Sequence, residues 1–276
     1  MSRDGLVAEF IGESAGRIFV LAHYPRSSAV RCVLICPPFA EEMNKARKMV
    51  TELSRRLLAR GLGVIVPDLF GTGDSEGNFA DADWERWLED LKTAERWALA
   101  RGWQVESLLG IRLGCLLAAN HAHERESAVS RTAFWQPVLD GSRALDQFLR
   151  LRTAASLMRD DKETVAGLKA QLAGGRVVDV AGYGVSSRLA AQMESLRLSS
   201  LYSDKLGDVH WFEVLRAADA PVSAATTKSV DELKQRGAAV SLHTVVGEPF
   251  WASTEIVCLP QLLTDTAGVL CDGRNA

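Results

Sequence analysis

The residues with the clearest chemical pattern are Gly110-Ile111-Arg112-Leu113-Gly114, which lie between the strand-like run 105–109 and an apolar helix-like run. A strand, a glycine-flanked tip and a helix in this order make up a nucleophile elbow, which normally carries serine at its tip. Here the tip is Arg112, whose guanidinium stays protonated and offers no lone pair for nucleophilic attack. An arginine beside the amides of a helix N-terminus is instead suited to bind a carboxylate or a phosphate.

Two adjacent carboxylates, Glu41 and Glu42, follow the apolar run 31–36 and a turn that begins Pro37-Pro38. In an apolar pocket, burial raises the pKa of a carboxyl group, and either glutamate could then act as general acid or base on a water molecule. The alternative is a solvated pair at a helix N-terminus, where negative charge complements the helix dipole.

Arg112 also has two interpretations. It could contact an anionic ligand, or it could pair permanently with Glu41, Glu42 or Asp140 and hold the surrounding loops together. Both are open because a charge in a cleft is normally paired, whether by a ligand or by a neighbouring side chain.

Four more residues complete the candidate binding site. An elbow of this kind binds an oxyanion with the amide after the tip, here that of Leu113, and with an amide from the turn after an earlier strand. In this chain the second amide is that of Phe39 or Ala40. Phe250 and Trp251, in the last long loop, either line the pocket or pack into the core.

The other parts of a Ser-His-Asp triad are missing from the expected places. An elbow serine needs an acid after a later strand and a histidine after the last strand. We predict these strands at residues 221–225 and 239–246; the first carboxylate after the former is Asp231, already in a helix. Pro249 stands where the histidine is expected, and His243 falls inside the last strand. Ordinary serine hydrolysis is therefore not expected.

Several weaker patterns are excluded. Residues 12–16 match Gly-x-Ser-x-Gly, but a strand and no helix follows, so we interpret Ser14 as a turn residue. The glycine-rich segment 68–77 has no lysine, and no Rossmann spacing follows the first strand, so no nucleotide cofactor is expected. His121 and His123 are two residues apart and cannot form a helical metal pair, and His210 falls in an unassigned loop. The five scattered cysteines lack zinc-site spacing.

The composition indicates an ordinary globular protein. The 276 residues are 47% hydrophobic and 24% charged, with a net charge of −3. This balance favours neither nucleic acid nor an anionic membrane surface as a partner. No apolar run reaches the roughly 18 residues of a membrane span, and the start Met1-Ser2-Arg3-Asp4 does not resemble a signal peptide, so we expect a cytoplasmic protein.

Alternating strand and helix patterns predict an α/β fold with a mostly parallel sheet that is covered by helices on both faces. The pattern changes at residues 142–206, which are mainly helical. We therefore divide the chain into a first core part (1–141), a helical cap insertion (142–206) and a second core part (207–276). Ligands bind such sheets at the carboxyl ends of the strands, where we expect the loops beginning at residues 37, 68, 110, 136, 226 and 247 to converge.

Four motifs together resemble the α/β-hydrolase superfamily over essentially the whole chain: Pro37-Pro38-Phe39, Asp68-x-x-Gly71-x-Gly73-x-Ser75, the elbow at 110–114, and Gly247-Glu248-Pro249-Phe250-Trp251. More narrowly, residues 38–45 together with the elbow resemble the second of the hydrolase-like proteins that are associated with the exosortase A system. This resemblance implies a role beside bacterial exopolysaccharide synthesis and PEP-CTERM protein sorting.

Two functions follow from these observations. The resemblance implies a hydrolase that lacks the triad and uses a water molecule activated by Glu41 or Glu42 on an ester, thioester or glycan-linked substrate. The alternative is a catalytically inactive fold that binds an anionic ligand, a small molecule or one linked to a glycan or lipid, or a partner protein. Neither interpretation calls for a cofactor or a metal.

Overall fold

The computed structural model describes residues 4–12, 16–25, 30–156 and 162–271, so that Ser14 lies outside the described residues. Its strands are β1 (Asp4–Ile11), β2 (Ile18–Pro25), β3 (Val30–Cys36), β4 (Gly63–Pro67), β5 (Trp103–Ile111), β6 (Arg131–Trp135), β7 (Val178–Val180), β8 (Tyr183–Val185), β9 (Asp208–Leu215) and β10 (Val240–Val246). Its helices are α1 (Glu41–Ala59), α2 (Trp84–Leu99), α3 (Gly114–Glu124), α4 (Gly141–Ser156), α5 (Val165–Ala173), α6 (Ser187–Ser195), α7 (Leu198–Leu201), α8 (Ala224–Gln235) and α9 (Pro260–Cys271).

An eight-stranded sheet forms the centre of the molecule, in the order β1-β2-β4-β3-β5-β6-β9-β10. Strands β1 and β2 form an antiparallel hairpin, β2 is antiparallel to β4, and all remaining neighbours are parallel. Parallel strands are joined by helical crossovers that cover both faces of a sheet. The predicted α/β fold with a mostly parallel sheet is therefore confirmed.

The two faces of the sheet bury two separate cores, because successive side chains of a strand point to opposite sides. In β3, Val33 and Ile35 join one core with α1 and α9, whereas Cys32 and Leu34 join the other, which includes residues of α2, α3 and α8. Both faces of the central strands are buried, which explains why these strands have continuous apolar sequences.

One predicted strand is wrong. The sequence 221–225 forms no strand; instead β9 spans Asp208–Leu215, with Trp211 and Phe212 fully buried. Polar residues within β9 obscure its apolar pattern, and Ser223 caps α8 by accepting a hydrogen bond from the amide of Thr226 at 3.0 Å. The loop predicted to begin at residue 226 therefore begins at Arg216, and His210 lies inside β9 instead of in a loop.

The glycine-rich segment after β4 is a structural loop. The Ser75 hydroxyl donates to the Asp68 carbonyl at 2.5 Å and accepts from the amide of Phe19 in β2 at 2.7 Å. The Asp68 carboxylate accepts from the amide of Asp74 at 2.9 Å, and a Cβ at Gly73 would lie only 2.0 Å from that carboxylate. These contacts fasten the loop to the hairpin side of the sheet.

Between β6 and β9 the chain forms α4 to α7 and the small antiparallel hairpin β7-β8. This segment contacts the helices that flank the sheet: the amide of Trp84 donates to Gln192 at 2.7 Å, and Asn44 donates to the Tyr183 hydroxyl at 3.1 Å. In the part of the chain that the structure describes, no helix combines the length and the apolar character needed to cross a bilayer.

Candidate functional site

A cleft of about 310 Å³ lies above the elbow. Its walls come from the β3–α1 turn, the elbow, α4 and the β10–α9 loop. The polar residues that line it are Glu41, Glu42, Lys45, Arg112 and Gln147. The apolar ones are Phe39, Leu113, Val138, Ala144, Phe148, Leu151, Trp251 and Ala252. Mostly apolar walls with a few converging polar groups are typical of a small-molecule site.

The elbow has the strained backbone of its type. Arg112 has a φ of 56°, which is uncommon for a residue with a side chain. Its amide donates to the Trp135 carbonyl at 2.9 Å. The flanking glycines are required by close approach, because a Cβ at Gly114 would lie 2.2 Å from the Cys36 carbonyl oxygen and one at Gly110 would lie 2.6 Å from the Cα of Cys115. The elbow thus presents Arg112 where a hydrolase presents its nucleophile.

The Arg112 side chain is held on three sides. Its Nε donates to Oε1 of Glu42 at 3.2 Å, and its Nη1 donates to the Gln136 carbonyl at 3.1 Å. The guanidinium carbon lies 4.9 Å from the ring centroid of Trp251, a cation–π contact. Of the three carboxylates considered from the sequence, Glu42 is the partner, whereas Asp140 pairs with Arg197 at 3.1 Å.

The two glutamates have different environments. Burial raises the pKa of Glu42, and the Arg112 guanidinium opposes part of that rise. Glu41, in the same first turn of α1, lies near the Tyr183 hydroxyl of β8. Burial and the nearby negative charge of Glu41 raise the pKa of Tyr183. Glu42 is therefore the internal counter-ion of Arg112, whereas Glu41 lies beside Tyr183 of the segment above α1.

Gln136, whose carbonyl accepts from Arg112, is itself held in place by several hydrogen bonds. It has a φ of 45°, its Nε2 donates to Glu213 at 2.8 Å, and its Oε1 accepts from the amide of Val214 at 2.7 Å. Glu213 is buried and also accepts from Thr226 at 2.8 Å. The sequence analysis does not single out Gln136, because a positive φ in glutamine leaves no sequence signal. It does not single out Glu213, because it predicts a strand at residues 221–225 and none at β9.

The aromatic and backbone candidates separate into two groups. Phe39, Leu113 and Trp251 line the cleft. Phe250 is 1% exposed and packs edge-to-face on Trp135 with ring centroids 5.7 Å apart. Phe250 therefore packs into the core and does not line the cleft. The α4 residues Phe148 and Gln147, which the sequence analysis did not single out, line the cleft instead.

Neither of the remaining triad positions supplies a residue that lines the cleft. Asp219 follows β9 in an exposed loop and is not among the lining residues. Pro249 follows β10, and His243 lies inside β10, stacked on Phe212 with ring centroids 4.6 Å apart and within 3.2 Å of His210. None of the described lining residues is a serine, threonine, cysteine or histidine. Nor do the described residues contain a group of three or more side chains arranged to hold a metal ion.

Comparison with known proteins identifies the architecture. No protein-family model and no curated protein matches the sequence. Among solved structures, Est1E from Butyrivibrio proteoclasticus, solved with ferulic acid bound, is 13% identical and superimposes with a TM-score of 0.70 over 95% of this chain and 97% of its own. A lipase/esterase from Lactobacillus plantarum is 14% identical, with a TM-score of 0.57 over 96% and 98%. An esterase from Rhizomucor miehei is 12% identical, with a TM-score of 0.59 over 97% and 82%. The chain therefore has the α/β-hydrolase fold.

Proposed function

We propose that this protein binds a small amphipathic molecule with an anionic group in the cleft above Arg112, and that it does so without hydrolysing it. The observation that carries the proposal is the residue at the elbow tip, a guanidinium at the base of a mostly apolar cleft. The resemblance of residues 38–45 and 110–114 to the exosortase-associated group supports a role in a bacterial exopolysaccharide system.

The contacts of Arg112 suit it to exchange partners. In the described structure Glu42 satisfies the guanidinium. An incoming ligand anion would take the place of the Glu42 carboxylate, and burial favours the uncharged form of Glu42 once it loses the cation. Trp251 would remain over the guanidinium and cover one side of the ligand. Residues 142–206, which supply the α4 wall, would act as the cap of the site.

The second candidate is a hydrolase that uses a carboxylate-activated water on an ester or thioester. The fold similarity to esterases and the presence of Glu41 and Glu42 in the cleft favour it. Against it stands the pairing of Glu42 with Arg112, because a carboxylate that accepts from a guanidinium is a weaker base. We therefore favour the binding function over the hydrolase function.

A panel of chromogenic esters and thioesters separates the two candidates. We expect the protein to show no turnover above the buffer rate. The Arg112→Ser variant should be equally inactive, because the described residues that line the cleft include no histidine to activate the new hydroxyl. Circular dichroism and thermal melting would show that the variant is folded.

The contrary outcomes are specific. Turnover by the unaltered protein that disappears in Glu42→Gln or Glu41→Gln would overturn the binding proposal and establish the carboxylate mechanism. Rapid hydrolysis by Arg112→Ser would show that a general base lies within reach of the elbow.

A further inference from the structure

A second groove opens on the other side of Arg112, with a volume of about 360 Å³. It shares Arg112, Val138, Ala144 and Gln147 with the cleft, so the two depressions are neighbours that meet at Arg112. The walls of the second groove come from the β6–α4 loop, the start of α4 and the exposed face of α8. We call it the basic groove, because its lining includes Arg143, Arg197 and Lys228 in addition to Arg112.

We infer that the basic groove binds the phosphate group of a ligand whose alkyl or aryl chain lies in the cleft. The inference rests on the proposed function, since it assigns the class of ligand to the same site: a phosphorylated amphiphile, and not merely any organic anion. The geometry that points to it is the junction of an apolar cleft and a cation-lined groove at one guanidinium.

The charge of the groove is opposite to that of the protein. Four cationic side chains line it against two carboxylates, Asp140 and Glu232, and once the Glu42 partner of Arg112 is counted the local excess is one positive charge. The chain as a whole has a net charge of −3. A cleft of one sign on a protein of the other sign concentrates counter-charged ligands at that place.

The Lys228 and Arg197 side chains of the groove are exposed to solvent. The Lys228 side chain is 78% exposed and lies 3.7 Å from Glu232, its neighbour one turn along α8. Such an exposed pair within one helix contributes little stability, so a phosphate could displace Glu232 at small cost. Arg197 is 41% exposed and pairs with Asp140 at 3.1 Å, which orients its guanidinium at the groove wall.

A phosphate monoester requires more than one cation. It carries nearly two negative charges at neutral pH and three acceptor oxygens. Arg112 can neutralise one charge and is already shared with Glu42. Arginine and lysine side chains from the groove would supply the second charge and the remaining donors. The chain of the ligand would then extend past Phe148 and Leu151 of α4, the latter 53% exposed at the rim of the cleft.

Calorimetric titration of the full chain with three probes tests the inference: 1-octanesulfonate as a monoanion, octyl phosphate as a dianion with the same chain, and inorganic pyrophosphate as an anion without a chain. We expect octyl phosphate to bind about tenfold or more tightly than octanesulfonate, as one additional charge-assisted hydrogen bond would produce. Its affinity should also fall more steeply with added salt.

Two double variants with the same change of net charge provide the comparison. Arg143→Gln with Lys228→Gln should weaken octyl phosphate binding by about tenfold and change octanesulfonate binding by less than about threefold. Lys48→Gln with Arg55→Gln, exposed on α1 and outside both depressions, should change neither. Thermal melting would confirm that both variants fold, and the salt dependence of the unaltered protein tests the inference without them.

Each outcome decides one point. Equal affinity for octyl phosphate and octanesulfonate, unaffected by the groove variant, would overturn the inference and leave the proposed function intact. Binding of neither alkyl probe would overturn both. Pyrophosphate binding as tight as octyl phosphate would show that the groove takes free phosphates, which overturns the part of the inference that places a chain in the cleft.

Discussion

Replacing Gly114 by alanine is expected to lower the free energy of unfolding by about 3 kcal/mol or more, the upper range for overpacking a rigid site. The added Cβ would lie 2.2 Å from the Cys36 carbonyl oxygen and 2.5 Å from that of Pro37. Both atoms belong to backbone at the end of β3, which cannot move without shifting the turn that carries Glu42. Urea denaturation followed by circular dichroism measures the loss.

Gly268→Ala is the matched control for this variant. Gly268 lies in α9, and a Cβ there would meet nothing within 4 Å. Alanine inside a helix is more stable than glycine by up to about 1 kcal/mol, so this variant should be slightly stabilised. A Gly114→Ala protein as stable as the parent would contradict the close approach of α3 to β3 and, with it, the described elbow.

Arg112→Gln is expected to lower the free energy of unfolding by about 1–3 kcal/mol at pH 8 and by less than about 1 kcal/mol at pH 5. The value at pH 8 is below the range for fully buried ion pairs because both side chains of this pair are partly exposed. The side chains of Arg112 and Glu42 are 16% and 29% exposed. Burial raises the pKa of Glu42 and Arg112 lowers it, so removing the arginine raises that pKa further. A carboxyl group whose pKa is higher in the folded state contributes stability at low pH, which is lost as the pH rises through the folded pKa.

The double variant Arg112→Gln with Glu42→Gln should recover most of this loss at pH 8, because no buried charge then remains unpaired. Arg96→Gln is the control: its pair with Glu89 is exposed on both sides, so we expect a change below about 0.5 kcal/mol with no added pH dependence. Unfolding curves at both pH values measure all four proteins. An Arg112→Gln penalty that is independent of pH and persists in the double variant would contradict the assigned ion pair.

The sheet and the elbow could be predicted because their sequence signals are local. The run 31–36 is apolar without interruption, since both faces of β3 are buried. The two glycines of the elbow lie two residues on either side of the tip, and Gly110 is required by the backbone of Cys115, three residues past the tip. The position of Arg112 at the tip follows from these elements, but only the structure identifies Glu42 as its partner.

The rest of the site depends on contacts between distant parts of the chain. The sequence does not predict β9 in its place because His210 and Glu213 interrupt its apolar pattern, while Glu213 is satisfied by Gln136 in the loop that follows β6. Phe250 and Trp251 are adjacent in an irregular loop, so no periodicity distinguishes the ring that enters the core from the one that covers Arg112. The two depressions themselves arise only when α4 and α8 pack beside the elbow.

The central claim, that the elbow presents a cation for an anionic ligand, is tested most directly by comparing 1-octanesulfonate with 1-octanol in a tryptophan-fluorescence titration. The sulfonate stays ionised at every pH used, and Trp251 lies over Arg112. We predict that the unaltered protein prefers the sulfonate by about tenfold or more, the value of one charge-assisted hydrogen bond. Arg112→Gln should lose this preference, Arg112→Lys should keep part of it, and Glu42→Gln should strengthen it. An Arg112→Gln protein with the same preference as the parent would contradict the claim.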